Sequence, residues 1–220
     1  MDEKLRVDYL QKHIDYKVVQ HKDMYHFNTD TCLLGDYIKI NKNDLVLDVG
    51  TNNGALLVYI INKGGIATGL DINNDALEIA KLTLKENNFN ASLINQDFKT
   101  FNSETLYDVI VCNPPYFDTK DETKKNQNYY LKIARHEEYL PLSELCKSFA
   151  RNLKEDGRIF MVYRPSRLNE LERKLNENNL YINEFQLVYD LRKKEAKSVL
   201  LQASFNKIDK IQLENKIIGE

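Results

Sequence analysis

The sequence predicts an α/β fold, with a mostly parallel sheet and helices on its two faces, and three observations carry that reading. Short apolar runs alternate with helix-patterned stretches from Asp44 onward, which is the signature of strand–helix–strand units with right-handed crossovers. The early runs end in Asp48, Asp71 and Asp97. The run Tyr107 to Cys112 stops at Asn113-Pro114-Pro115-Tyr116, and two consecutive prolines can neither continue a strand nor enter a helix interior. In open sheets of this kind, ligands sit outside the carboxyl ends of the strands.

Each element follows from local pattern. Residues 1–15 are polar with scattered apolar positions and give no assignment. Tyr16 to Gln20 and Tyr25 to Phe27 read as a short hairpin around His21-Lys22-Asp23. Asn28-Thr29-Asp30 offers N-caps for a helix over Thr31 to Ile40, with Leu33, Leu34, Tyr37 and Ile38 on one face, packed on the sheet as a lid or extra layer.

Leu45 to Val49 is the first strand of the main sheet, followed by the turn Gly50-Thr51-Asn52-Asn53-Gly54 and a helix over Ala55 to Asn62. Lys63-Gly64-Gly65 ends that helix and Ile66 to Leu70 is the second strand. Asn73 or Asn74 caps a helix carrying Leu77, Ala80 and Leu84, and Ala91 to Ile94 is the third strand. After the Pro-Pro turn, residues 117–138 form a long polar loop over the strand ends. A helix over Leu140 to Leu153, a strand over Arg158 to Tyr163, a helix capped by Ser166 and running to Asn178, and an antiparallel pair, Tyr181 to Tyr189 with Ser198 to Phe205, complete the chain. The reading is one domain over 1–220, with an N-terminal extension and capping helix over 1–40 and the core over 44–206.

Composition restricts the class. The chain has 220 residues, 42% hydrophobic and 29% charged, the profile of a soluble globular domain. Its start, Met1-Asp2-Glu3-Lys4-Leu5-Arg6, has no apolar segment of the secretory kind, and the apolar run Ala55 to Ile61 is too short to span a bilayer. Cys32, Cys112 and Cys146 are isolated and odd in number, as expected of reduced thiols in a cytoplasmic protein. His13, His21, His26 and His136 show no metal-ligand spacing, so no metal and no membrane partner are expected. Net charge is −2, which excludes a wholly basic nucleic-acid coat. Cations nevertheless gather at residues 192–197 and around Arg158, Arg164, Arg167, Arg173 and Lys174. Such runs are more often solvated faces.

Two constellations carry chemistry. A strand, a glycine-bearing turn and a helix form a nucleotide-binding arrangement, because glycines let backbone N–H groups approach a ligand at a helix N-terminus. The spacing Gly50-x-x-x-Gly54 is neither the dinucleotide fingerprint nor a P-loop. Asp48 can pair with an ammonium, Asp71 with two ribose hydroxyls, and Asp97 with an adenine amino group beside the Phe98 N–H. Singly, each is an ordinary loop acid; at three consecutive strand ends they describe S-adenosylmethionine, which has ammonium, ribose and adenine but no phosphate. The second constellation is the Pro-Pro turn. The Asn113 side-chain oxygen and the Pro114 carbonyl can accept the two N–H bonds of a substrate amino group, and Tyr116 can stack on a planar base. The tetrapeptide alone is equally compatible with a stiff turn and a capping Asn.

Together these residues resemble the class I S-adenosylmethionine-dependent methyltransferases, in the amino-group branch marked by Asn-Pro-Pro-Tyr. Phe27-Asn28-Thr29-Asp30-Thr31-Cys32-Leu33-Leu34 is similar to the Phe-Ser-x-Asp-Ser-x-Leu-Leu stretch of bacterial tRNA adenine N6-methyltransferases. Asn113 to Phe117, Ala134-Arg135-His136-Glu137 and Arg164-Pro165-Ser166-Arg167-Leu168 are similar to the same family. The resemblance implies a Rossmann-like core with a mostly parallel seven-stranded sheet, and methylation of the adenosine 3′ of a valine tRNA's anticodon by a cytoplasmic, monomeric enzyme.

It also implies site residues. Asn113, Pro114 and Tyr116 would be catalytic. Phe27, Thr29, Asp48, Gly50, Thr51, Asn53, Gly54, Asp71, Ile72, Asp97, Phe98 and Asn113 would hold the cofactor. Pro115, Tyr116, Phe117, Lys124, Lys132, Arg135 and His136 would meet the tRNA anticodon loop, with phosphate contacts from Lys124, Lys132, Arg135 and the 192–197 cluster; for His136 a structural role is preferred over that of a base. One departure stands out: Asn52 replaces the middle glycine of the family's Gly-Thr-Gly-x-Gly turn. Asn tolerates left-handed backbone, so the turn survives, while its side chain can crowd the cofactor. Two other readings stay open: a protein glutamine methyltransferase acting on release factors, and a non-catalytic RNA-binding module on this fold.

Overall fold

The computed structural model describes residues 4–10, 13–114 and 140–219. Among these, an eight-stranded sheet forms the centre, and a separate two-stranded hairpin precedes it. The hairpin is β1 (Leu5–Leu10) with β2 (His13–His21). Next come α1 (Thr29–Tyr37), β3 (Leu45–Val49), α2 (Ala55–Asn62), β4 (Ile66–Asp71), α3 (Asn74–Glu86), β5 (Ser92–Asn95) and β6 (Tyr107–Cys112). The remainder is α4 (Leu142–Asn152), β7 (Leu153–Tyr163), a 3₁₀ turn (Pro165–Arg167), α5 (Leu168–Asn176), β8 (Tyr181–Asp190), β9 (Glu195–Ser204) and β10 (Gln212–Ile218).

Spatial order across the sheet is β10-β8-β9-β7-β6-β3-β4-β5. The five strands β7, β6, β3, β4 and β5 run parallel, and β9 runs against both β7 and β8. The chain builds outward from β3 through β4 to β5, then returns to β6 on the other side of β3. Between β3 and β6 the order reverses, and in open sheets of this kind ligands bind outside the carboxyl ends of the strands at such a switch point.

Burial explains the strand runs. Val46, Leu47, Val109, Ile110, Val111 and the run Ile159 to Val162 have no solvent exposure, as expected for strands covered on both faces. Helix α2 has no polar face: Ala55 to Ile60 are all buried, because α1 covers the side turned away from the sheet. The two helices meet closely at Gly35, where an added Cβ would sit 2.4 Å from the Tyr59 ring. Helix α1 therefore is the extra layer its apolar face predicts. It starts at Thr29 with Asn28 as its cap: the Asn28 side chain accepts from the Thr31 N–H at 3.1 Å.

The structure differs from the sequence reading at four places. Tyr16 to Gln20 pairs with the preceding Leu5–Leu10, not with Tyr25 to Phe27, which form no strand. Leu5, Val7, Val19 and Met24 pack on Ala76 and Ile79 of α3, so the apolar positions of residues 1–15 serve a helix face rather than the main sheet. The outer edge of β2 is satisfied by side chains of α3 and its cap. Thr83 Oγ1 accepts from the Val19 N–H at 3.0 Å, and Asn87 accepts from the Lys17 N–H at 2.9 Å while donating to its carbonyl at 2.7 Å. Helix α4 stops at Asn152 and β7 begins at Leu153. Asn152 ends that helix productively, accepting from the Ser103 N–H and donating to the Phe101 carbonyl. Ser166 lies in the 3₁₀ turn, and α5 ends at Asn176.

The fourth difference is the eighth strand. The core extends past 206 to β10, which pairs in parallel with β8 from Gln212↔Glu184 to Ile218↔Asp190. Its polar residues disguise it, as suits a sheet edge that faces water.

Candidate active site

The residues that the sequence singles out converge on one end of the sheet. Register places Val49 of β3 beside Leu70 of β4 and Cys112 of β6, and Asp71 beside Asn95 of β5. The glycine turn, Asp71, the Asp97 loop and Asn113 thus follow the carboxyl ends of four adjacent strands.

The turn after β3 is held by its neighbour. Gly50 and Thr51 donate their N–H groups to the Leu70 carbonyl at 2.8 and 3.0 Å, and the Asn52 N–H donates to Asp71 Oδ2 at 2.8 Å. Gly50, Asn52 and Gly54 have positive φ, at 71°, 48° and 76°, so Asn52 adopts the left-handed conformation that its amide tolerates. An added Cβ at Gly50 would meet nothing within 4 Å, whereas one at Gly54 would press on Ala80 of α3 at 3.2 Å. Gly50 therefore borders open space on the ligand side, and Gly54 serves close helix packing.

Asp48 lies beneath this turn with no solvent exposure. Its Oδ2 accepts from the Thr51 hydroxyl at 2.6 Å, while Oδ1 has no partner among the described residues. Burial pushes its carboxyl up to about 7; the Thr51 hydroxyl opposes the rise and the Asp71 charge adds to it. The Asn53 Nδ2 is another buried atom with no partner among the described residues. An orphan acceptor and an orphan donor under a glycine turn match the ammonium and carboxylate of an amino-acid end, which is how the residues present fit S-adenosylmethionine.

Asp71 organises the next loop. Its Oδ1 accepts from the Asn73 N–H at 2.9 Å and its Oδ2 from Asn52. Burial lifts this carboxyl while those N–H donors oppose the shift. Asn95 donates to the Asp71 and Ile72 carbonyls, each at 3.0 Å. Ile72 itself is 47% exposed, an apolar side chain facing outward. Asp97 accepts from the Lys99 N–H at 2.9 Å and pairs with the Lys99 ammonium at 3.2 Å, and Phe98 is buried against Phe149 and Phe101.

Asn113 stands directly after β6, and its Nδ2 donates to the Thr31 hydroxyl of α1 at 3.1 Å. The other atom of that amide, Oδ1, is an acceptor. Phe27 and Thr29 lie on the chain entering α1, where the buried Gln20 accepts from the Phe27 N–H at 3.1 Å. Pro115, Tyr116, Phe117, Lys124, Lys132, Arg135 and His136 lie outside the described residues.

Sequence reasoning gave no role to several residues that shape this site. Thr31 sits inside the stretch that carries the family resemblance, yet a threonine in a first helical turn reads as a cap. Arg151 reads as a helix-end cation; it reaches from α4 to the carbonyls of Phe98, Lys99 and Phe101. Asn95 was marked only by its place at a strand end.

A family model described as the methyltransferase small domain matches residues 16–200. The tRNA1(Val) (adenine(37)-N6)-methyltransferase of Flavobacteriaceae bacterium (strain 3519-10) is 30% identical over 196 residues, 87% of this chain and 82% of that protein. The protein of the same name from Phocaeicola vulgatus is 31% identical over 195 residues, 86% and 81% of the two chains. Among solved structures, the ribosomal protein L11 methylase of Lactobacillus delbrueckii subsp. bulgaricus matches with a TM-score of 0.62 at 19% identity, over 82% of this chain and 80% of that one. A T. thermophilus 16S rRNA methyltransferase in complex with AdoMet and guanosine matches with a TM-score of 0.64 at 18% identity, over 92% and 50%. These likenesses show the Rossmann-like fold of class I methyltransferases. The chain belongs to the methyltransferase small-domain family.

Proposed function

We propose that the protein transfers a methyl group from S-adenosylmethionine to N6 of an adenosine in tRNA, at position 37 in the anticodon loop of a valine tRNA. The observation that carries this reading is the Asn113 amide. Its nitrogen donates to Thr31 at 3.1 Å, which supports a reading in which its oxygen accepts from the substrate amino group. The names of the relatives in Flavobacteriaceae and Phocaeicola support the substrate.

Adenine N6 is a weak nucleophile because its lone pair is delocalised into the ring. Asn113 Oδ1 and the Pro114 carbonyl accept its two N–H bonds, which draws the nitrogen toward a tetrahedral arrangement and localises the lone pair on the face opposite those acceptors. The sulfonium supplies an electrophilic methyl group. When S-adenosylmethionine is bound, Asp48 and Asn53 would hold its amino-acid end, Asp71 the ribose, and the Asp97–Phe98 loop the adenine. Catalysis then comes from alignment and from preorganised acceptors: as N6 takes the methyl group the S–CH3 bond breaks, and the nitrogen, now cationic and acidic, gives up one proton to water, so that no strong base is required. The target base leaves its stack to reach Asn113, which a single-stranded loop allows at low cost.

Charge at the same end of the sheet supports an RNA partner. The register Tyr163↔Val199 and Asp190↔Glu195 brings the β8–β9 turn to the end of β7 that is level with the site. Lys193 and Lys194 are exposed on that turn, positioned for phosphate contacts. Lys197 differs from its neighbours, since its ammonium pairs with the buried Asp30 at 3.2 Å. No helix among the described residues is long and apolar enough to cross a membrane. A monomer acting in the cytoplasm on tRNA is the reading consistent with these features.

The test is methyl transfer from labelled S-adenosylmethionine to a bulk tRNA pool, followed by nucleoside analysis. Label in N6-methyladenosine at position 37 of valine tRNA is the expected result. Label absent from tRNA but present on release factor would replace this reading with glutamine methylation.

A further inference from the structure

The orientation of the Asn113 amide decides whether a donor or an acceptor meets the substrate, and a chain of hydrogen bonds running through α1 sets that orientation. The chain starts at a group that cannot turn round. The Thr31 backbone N–H is a donor only, and it donates to the Asn28 side chain at 3.1 Å, which fixes Oδ1 of Asn28 toward Thr31. The Asn28 Nδ2 then points the other way, to the Tyr25 hydroxyl at 2.7 Å. With an oxygen beside it at 3.4 Å, the Thr31 hydroxyl directs its proton to Asn28, and its lone pairs remain for the Asn28 N–H at 3.4 Å and for Asn113. A hydroxyl whose proton is already committed can only accept. Asn113 therefore turns Nδ2 to Thr31, at 3.1 Å, and Oδ1 away from it.

The anchor of this chain is firm. Thr31 is 6% exposed and Asp30 beside it 3%. Asp30 receives the Ser198 hydroxyl at 3.1 Å and the Lys197 ammonium at 3.2 Å, so the first turn of α1 is tied to β9 while its next residue holds the end of β6. We infer that Thr31 is a positioning residue for methyl transfer, its hydroxyl holding the Asn113 amide with the oxygen toward the target amino group. This inference rests on the reading of Asn113 as the acceptor of that group.

The test compares Thr31→Val, which keeps shape and removes the hydroxyl, with Thr31→Ser, which keeps the hydroxyl. With Asn113 free to turn, kcat of Thr31→Val at saturating methyl donor falls about tenfold, the size expected for one lost neutral hydrogen bond. The dissociation constant for S-adenosylmethionine stays within about twofold, and Thr31→Ser recovers most of kcat. A loss smaller than about fivefold in Thr31→Val, or equal losses in the two variants, would overturn the inference. A second readout needs no variant to fold well: in the wild-type protein, the Asn113 side-chain N–H resonances (assigned by their disappearance in Asn113→Ala) should be protected from hydrogen exchange. Exchange at the rate of a free amide would also overturn it. Failure of the underlying reading looks different, because Asn113→Ala would then retain activity; an inactive Asn113→Ala with a fully active Thr31→Val removes only the role of Thr31.

Discussion

Arg151 and Phe98 are joined by a hydrogen bond from the guanidinium to the Phe98 carbonyl at 3.1 Å. The same side chain donates to Lys99 O at 2.9 Å and Phe101 O at 3.0 Å, and is steadied by the Ser148 hydroxyl at 3.0 Å. One fixed fork of donors thus clamps the loop that carries Asp97 and Phe98, the pair assigned to the adenine.

Replacing Arg151 by Met keeps the aliphatic stem and removes the fork. The freed carbonyls turn to water and the loop loses its template, so the dissociation constant for S-adenosylmethionine should rise about tenfold, with kcat at saturation changed less than about threefold. Calorimetric titration together with steady-state kinetics separates the two. An unchanged dissociation constant would remove the loop from the cofactor site.

The clamp also shows what the sequence could and could not reveal. The strand runs were legible because strands covered on both faces are continuously apolar, and α2 was legible from Ala55 to Asn62 because glycines bound it. Asp48, Asp71, Asp97 and Asn113 were legible because each lies at or just beyond a strand's carboxyl end, so a local pattern fixes its place. The partners of these residues were not legible. Arg151 meets Phe98 across 53 positions and Thr31 meets Asn113 across 82, and no periodicity encodes such pairings. The β1–β2 hairpin and β10 escaped for another reason: each leaves a face or an edge to water, and the polar residues placed there break the alternation that marks a strand.

The exposed turn between β8 and β9 gives a prediction about RNA. Changing Lys193 and Lys194 together to Ala removes the two exposed cations proposed to meet RNA phosphates. KM for tRNA should rise about tenfold at physiological salt, and the slope of log affinity against log salt should become shallower by about two. Affinity for S-adenosylmethionine should stay as in the wild type. Equal salt slopes in the two proteins would place the RNA elsewhere.

Asn52 tests the glycine turn. At φ 48° an Ala is strained by about 1 kcal/mol or more, whereas Gly is at ease. Asn52→Ala should therefore lower the melting temperature by about 2–4 °C, the shift that 1 kcal/mol produces in a chain of this size, and Asn52→Gly should stay within about 2 °C. Relief of crowding predicts in addition that Asn52→Gly binds S-adenosylmethionine more tightly than the wild type does. Equal affinity would mean that the asparagine side chain stands clear of the ligand.

Asp48 makes stability depend on pH in an unusual direction. Its carboxyl titrates at about 7 in the folded chain against an ordinary 3.8. Between those values the folded state holds a proton that the unfolded state has released. The stability this group contributes is thus fully present below about 4, falls as pH rises, and is gone above about 7, where an ionised oxygen lies buried without a partner among the described residues. The span corresponds to roughly 4 kcal/mol at most. Asp48→Asn abolishes the titration but buries an amide N–H group in place of Oδ1, so the informative quantity is the pH slope, not the absolute difference. Melting temperatures measured from pH 5 to 8.5 without cofactor should fall by on the order of 5–10 °C more in the wild type than in Asp48→Asn. Parallel curves would mean that Asp48 ionises normally. The same proton should leave when an ammonium pairs with Asp48, so calorimetry of S-adenosylmethionine binding near pH 6 in buffers of different ionisation enthalpy should record its release, with affinity rising as pH approaches 7 and levelling above it.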